Sequence, residues 1–170
     1  MSELTDFRQA KDHFYGNNHH SPLTPDQKHG FHGLDYFNED PGLRFELEVQ
    51  RFDVPETFEM QTNTGDVAEY RRWGKISFEA DGQQAELTVF KDSDDGDVFL
   101  PFADATSGGE TYAAGRYVDV ETLPDGRLSV DFNYAYSPNC AYNDGWSCPL
   151  TPFENRLKVP IRAGEKSFKK

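Results

Sequence analysis

The chain has 170 residues, a formal net charge of −13 and a pI of about 4.7, with 14 Phe and 8 Tyr among its hydrophobic residues. So acidic a surface repels phosphate backbones and anionic bilayers, which are met by clustered Lys and Arg, so neither nucleic acid nor membrane is an expected partner. The aromatic content supports a packed core, and the length suits a single domain over residues 1–170: 1–42 as a helix and wrapping loop, 43–170 as a β body ending in a Cys- and Pro-rich segment.

No apolar run approaches the ~20 residues of a membrane span, and MSELTDFRQAKDHFYG lacks the charged-then-apolar order of a secretory signal. The expected location is therefore cytoplasmic.

Residues 2–15 read as one amphipathic helix, with Ser2 as N-cap, Leu4, Phe7 and Phe14 on one stripe, and Gly16 at the C-cap position. The loop that follows, NNHHSPLTPDQKHGFHGLDYFNEDPG, is pinned across the domain by Pro22, Phe31, Leu34, Tyr36 and Phe37. Helix and loop together contain all five histidines: His13, His19, His20, His29 and His32. Their spacing matches no zinc pattern, so they read as solvated side chains and no metal site is assigned.

From Leu43 the period becomes two: Leu43, Phe45, Leu47 and Val49 alternate with Arg44, Glu46, Glu48 and Gln50. Further strands are expected over residues 56–61, 67–79 (with a bulge at Gly74), 85–91 and 98–102. Asp81-Gly82 makes a two-residue hairpin loop that sets Phe78 opposite Ala85 and Ile76 opposite Leu87. The acidic loop 92–97 departs from a calcium loop, because Asp97 stands where the turn needs glycine and Ala103 where a bidentate glutamate belongs. It reads as a solvated turn.

The clearest hairpin lies around Leu123-Pro124-Asp125-Gly126-Arg127. A three-residue loop with Gly126 as a bulge sets Val120 against Val130, Val118 against Phe132 and Arg116 against Tyr134, apolar mostly on apolar. Its other face then pairs Glu121 with Ser129, Asp119 with Asp131 and Tyr117 with Asn133. Carboxylates directly across a strand pair repel, so either both stay solvated or a cation, an arginine or a shared proton neutralises them. An eighth strand is expected over residues 157–161, with Pro160 confining it to an edge or an end. Cys140 and Cys148 enclose too few soft ligands for zinc and read as two packed thiols close in space, with a disulfide or catalysis as the alternatives.

Short sequential strands after one helix describe a mainly β protein: an antiparallel up-and-down barrel or strongly curled meander, with a β-sandwich as the alternative.

Phe99 to Asp104, Thr111-Tyr112, Gly115-Arg116-Tyr117, Asp131-Phe132-Asn133, Ala135-Tyr136-Ser137-Pro138, Cys140-Ala141, Cys148-Pro149-Leu150, Glu154-Asn155-Arg156-Leu157 and Ala163-Gly164-Glu165 resemble a bacterial and archaeal family catalogued as domain of unknown function 1684. So do Ser21-Pro22, Phe31 to Phe37 and Thr62-Asn63-Thr64-Gly65. Where that family has paired prolines after the second cysteine's Pro-Leu, this chain has Thr151-Pro152. The resemblance implies membership and no activity.

Arg116, Tyr117, Asp119, Asp131, Asn133, Asn155 and Arg156 are the candidate ligand-binding residues, since an arginine fork beside Asp131 suits a carboxylate or phosphate. The competing reading of these groups is a buried salt-bridge network tying the C-terminal tail to the sheet. Three function classes follow. The leading one is a small-molecule-binding barrel with a polar cluster near the C-terminal hairpin. The others are an enzyme using the Asp119/Asp131 carboxylates or a cysteine, and an interaction module without a pocket. Cofactor and catalytic residues are unassigned.

Overall fold

The structure, a computed structural model, describes residues 3–93, 96–143 and 145–168. Ser2 and the centre of the acidic loop, Asp94 and Asp95, lie outside those residues. Two helices, α1 (Glu3–Asn17) and α2 (Pro25–His29), precede seven strands: β1 (Arg44–Leu47), β2 (Gln50–Gln61), β3 (Val67–Ala80), β4 (Gln83–Lys91), β5 (Val98–Phe102), β6 (Arg116–Thr122) and β7 (Leu128–Asp131). All pairings are antiparallel, in the order β1-β7-β6-β5-β4-β3-β2.

The shape follows from one short link. Only Glu48 and Val49 separate β1 from β2, yet these are the two outer strands. Laid flat, the sheet would hold its edges about 29 Å apart, whereas three Cα steps reach about 11 Å at most. The sheet therefore curls into a half-barrel whose edges approach at one corner. Val49 packs there on Gly74, where a Cβ would come within 2.5 Å of a Val49 methyl carbon. The same Gly74 lies in the bulge where the β3–β4 register shifts between Arg72 and Gly74.

Alternation along β3 to β7 points Ile76, Phe78, Leu87, Val89, Leu100, Phe102, Val118, Leu128 and Val130 into the curl, all buried in one cluster. Phe132 stands at its centre, with the rings of Phe78 and Phe102 at 5.3 and 5.2 Å. The interior is filled by these side chains. The opposite face of the same strands carries Tyr70, Phe99 and Tyr117 in a run of ring contacts at 4.9 and 5.0 Å.

Half of the expected cross-strand pairs hold. Phe78 faces Ala85 and Ile76 faces Leu87, and in the last hairpin Val120 faces Val130 and Glu121 faces Ser129. Gly126 takes φ 91° and donates its N–H to the Leu123 carbonyl, while the Leu123 N–H donates to the Arg127 carbonyl.

The hairpin pairing stops at Val120, because the chain leaves β7 after Asp131 and Tyr117 bridges to Tyr136 instead; on the other edge of β6, Val118 faces Leu100 and Asp119 faces Phe99. Asp131 faces Arg44 on β1, and the chain then tightens into a 3-10 turn, Phe132–Tyr134, capped by the Asp131 carboxylate. Residues 157–161 form no strand. Instead the Leu157 N–H donates to Ala103, and Ala103 pairs in parallel with Arg156. The first helix continues through Gly16 to Asn17, and buries Leu4 and Tyr15 while Phe7 and Phe14 stay about 40% exposed. A second helix, α2, appears in the wrapping loop, started by a Thr24–Gln27 capping box. All five histidines are exposed.

Candidate functional site

The seven candidate residues do not meet in one cluster. Arg116 is 1% exposed at the start of β6, and its guanidinium spans Asp104 Oδ2 (3.0 Å) and the carbonyls of Ile161, Ala163 and Glu165. Its partner is therefore Asp104, and the group it holds is the C-terminal tail. Asn133, also buried, exchanges hydrogen bonds with both backbone groups of Asp40 and donates to Asp131. Asp131 in turn accepts from Arg44 Nε at 3.1 Å. Asn155 is fully buried and pairs with the Thr88 N–H and carbonyl and the Pro101 carbonyl, as a strand neighbour would. Arg156 is exposed. Tyr117 lies under the cysteine segment, donating to the Pro149 carbonyl, and Asp119 accepts from Tyr136 Oη at 2.9 Å. The Asp119/Asp131 pairing is thus replaced by two separate local partnerships.

Burial draws Arg116 below the usual guanidinium range, opposed by the adjacent Asp104 carboxylate. A second buried ion pair, Lys11 with Glu165, receives the Tyr142 hydroxyl on the same carboxylate. Both pairs tie the tail to the body of the domain.

The inward-facing positions change character at one end of the curl. Lys91 follows Val89 by two residues and so shares its inward face, and Arg71 stands opposite Lys91 in register. Trp73, in the β3 bulge, packs on the edge of the core together with Val98. Arg51 and Lys91 both lie over the Trp73 ring, at 5.2 and 4.3 Å from its centre. These residues, with Val54 and Pro55, line an open cleft of about 430 Å³. The signal for it was available in the sequence as a lysine at an inward-parity position, which no core-facing strand has reason to carry.

Further clefts lie elsewhere, two of them as large as the first or larger. One, about 430 Å³, separates α1 from the outer face of the sheet and includes Phe7, Lys11, Asp119 and Tyr136. Its charged groups already have partners, Lys11 in Glu165 and Asp119 in Tyr136. The other, about 460 Å³, is mostly apolar and lies by Phe31 and Phe168. Among the described residues no three His, Cys, Asp or Glu side chains gather in a metal-holding group.

Fold and site together define a small antiparallel half-barrel with a filled interior and a cationic, aromatic mouth. The chain belongs to the family described as protein of unknown function (DUF1684), which matches residues 29–166. It is similar to the solution NMR structure of an uncharacterized protein from gene locus rrnAC0354 of Haloarcula marismortui, with 38% identity and a TM-score of 0.73 over 96% of this chain and 92% of that one. No curated protein matches it. No described helix is long and apolar enough to cross a membrane.

Proposed function

We propose that this protein binds a small molecule, seated at the open mouth of the curled sheet between β2, β3 and β4. The observation that carries the reading is the change of inward-facing residues from aliphatic to Trp73, Arg71 and Lys91 beside a cleft of about 430 Å³. Ligand pockets of this kind, partly apolar with a few convergent polar groups, fall in the range of roughly 300–1,000 Å³. The filled interior favours the mouth over the barrel centre as the seat, and of the hairpin candidates Arg116 is engaged with the tail. The acidic surface favours a free metabolite in the cytoplasm over nucleic acid or membrane.

Native mass spectrometry on protein purified from its own cells tests this. The expected result is a co-purified small molecule that is lost in Trp73→Ala while the circular dichroism spectrum is retained. Protein that carries no ligand, and that shows no saturable small-molecule binding sensitive to Trp73, overturns it.

A further inference from the structure

We infer that the molecule at the mouth is a small organic oxyanion, a carboxylate, phosphate ester or sulfonate, held through Arg51 and Lys91; this rests on the binding reading above. The chain has 17 Lys and Arg against 30 Asp and Glu, so basic groups are scarce. Most of its arginines are paired: Arg44 with Asp131, Arg72 with Glu154, Arg116 with Asp104, Arg127 with Asp125 and Arg162 with Glu110. Arg51 and Lys91 differ from these, each lying over the Trp73 ring. Among the described residues no carboxylate lines the cleft, and Arg51 and Lys91 share one indole ring as their neighbour.

The negative face of an indole attracts each cation and orients it. Two cations over one ring also repel each other, a cost that an anion placed between them reverses. A guanidinium fork matches the geometry of an oxyanion, and an ammonium adds a point charge with rotatable donors. Val54, Pro55 and Trp73 give the rest of the ligand an apolar bed. The overall charge of −13 repels an extended polyanion, so the fitting ligand is small.

The test uses two probes with one aromatic body, anilinonaphthalene sulfonate and its neutral counterpart N-phenyl-1-naphthylamine. The chain has two tryptophans, so Trp146→Phe leaves Trp73 as the reporter. The sulfonate should quench Trp73 saturably and bind at least about ten-fold more tightly than the neutral probe, the scale of one charge-assisted hydrogen bond. Arg51→Gln and Lys91→Gln, each verified as folded by circular dichroism, should each weaken the sulfonate several-fold and leave the neutral probe unchanged. Equal binding of both probes, or sulfonate binding indifferent to both substitutions, overturns the oxyanion assignment and leaves the ligand seat standing. Failure of both probes to quench Trp73 saturably overturns the seat as well.

Discussion

Arg116 and Asp104 form an ion pair in which both side chains are 1% exposed, with Nη2 to Oδ2 at 3.0 Å. Asp104 Oδ2 also accepts from the Ile161 N–H, and Arg116 spends its remaining donors on tail carbonyls. The pair is thus a bolt through which residues 161–165 are fastened to the start of β6. Such a pair adds little over an apolar replacement of both members, but removing one leaves the other charged in a dry interior.

Arg116→Met should therefore lower stability by about 3–5 kcal/mol, read as a fall in the urea midpoint at unchanged slope. A loss below about 1 kcal/mol would show that water reaches Asp104.

Asp131→Asn should behave differently. Its arginine partner, Arg44, is 53% exposed, and asparagine keeps an oxygen for the Asn133 N–H. The expected cost is under about 1 kcal/mol, measured in the same denaturation series, because exposed pairs are weakened by solvent. A cost as large as that of Arg116→Met would mean that Asp131 anchors the turn at Phe132–Tyr134 far more strongly than its exposure implies.

That contrast marks how far the sequence could be read. Period-two alternation and turn chemistry are local, so the register of Ile76 with Leu87 and of Val120 with Val130 was legible. Alternation alone carries the hairpin past Val120, because nothing local says that the chain leaves the sheet for a 3-10 turn at Phe132 or that Tyr136 returns to bridge Tyr117. Arg116 was legible as important, and the buried-network alternative describes it, but its partner lies in a loop twelve residues upstream that no pattern links to it. The mouth was missed for another reason: Arg71 and Lys91 look like ordinary surface charges until the curl gives their faces an inside.

Gly164 takes φ 79°, and a Cβ there would stand 2.6 Å from the Ala135 carbonyl oxygen and 2.9 Å from that of Phe132. Both oxygens belong to backbone, so no rotamer change relieves the clash. Gly164→Ala should cost roughly 1–3 kcal/mol or more, seen as a drop in the thermal midpoint. A neutral or stabilising alanine would refute this close approach of the tail to residues 132–135.

Cys148 is buried beside Cys140, and both cysteines are free. The Asn63 side chain accepts from the Cys148 N–H at 2.7 Å and donates to the Trp146 carbonyl, holding the segment against the turn at Thr62. Tyr112 Oη lies 3.6 Å from Cys140 Sγ. Burial pushes the Cys148 thiol up to about 11, and the neighbouring Cys140 adds to it by disfavouring a thiolate at close range. An unfolded cysteine titrates near 8.5. The folded state therefore keeps a proton that the unfolded state loses, so this group's contribution to stability is complete below about pH 8.5 and declines as pH rises toward about 11. Burial also raises Tyr117, next to both thiols, which acts in the same alkaline direction. Urea midpoints should fall steadily between these pH values, and less steeply in Cys148→Ala. Alkylation of native Cys148 by iodoacetamide should remain slow at pH 8.5 and accelerate only toward the higher value. An alkylation midpoint at the ordinary thiol range, with a flat stability profile across the window, would place Cys148 in contact with solvent and undo its assignment to a packed pair.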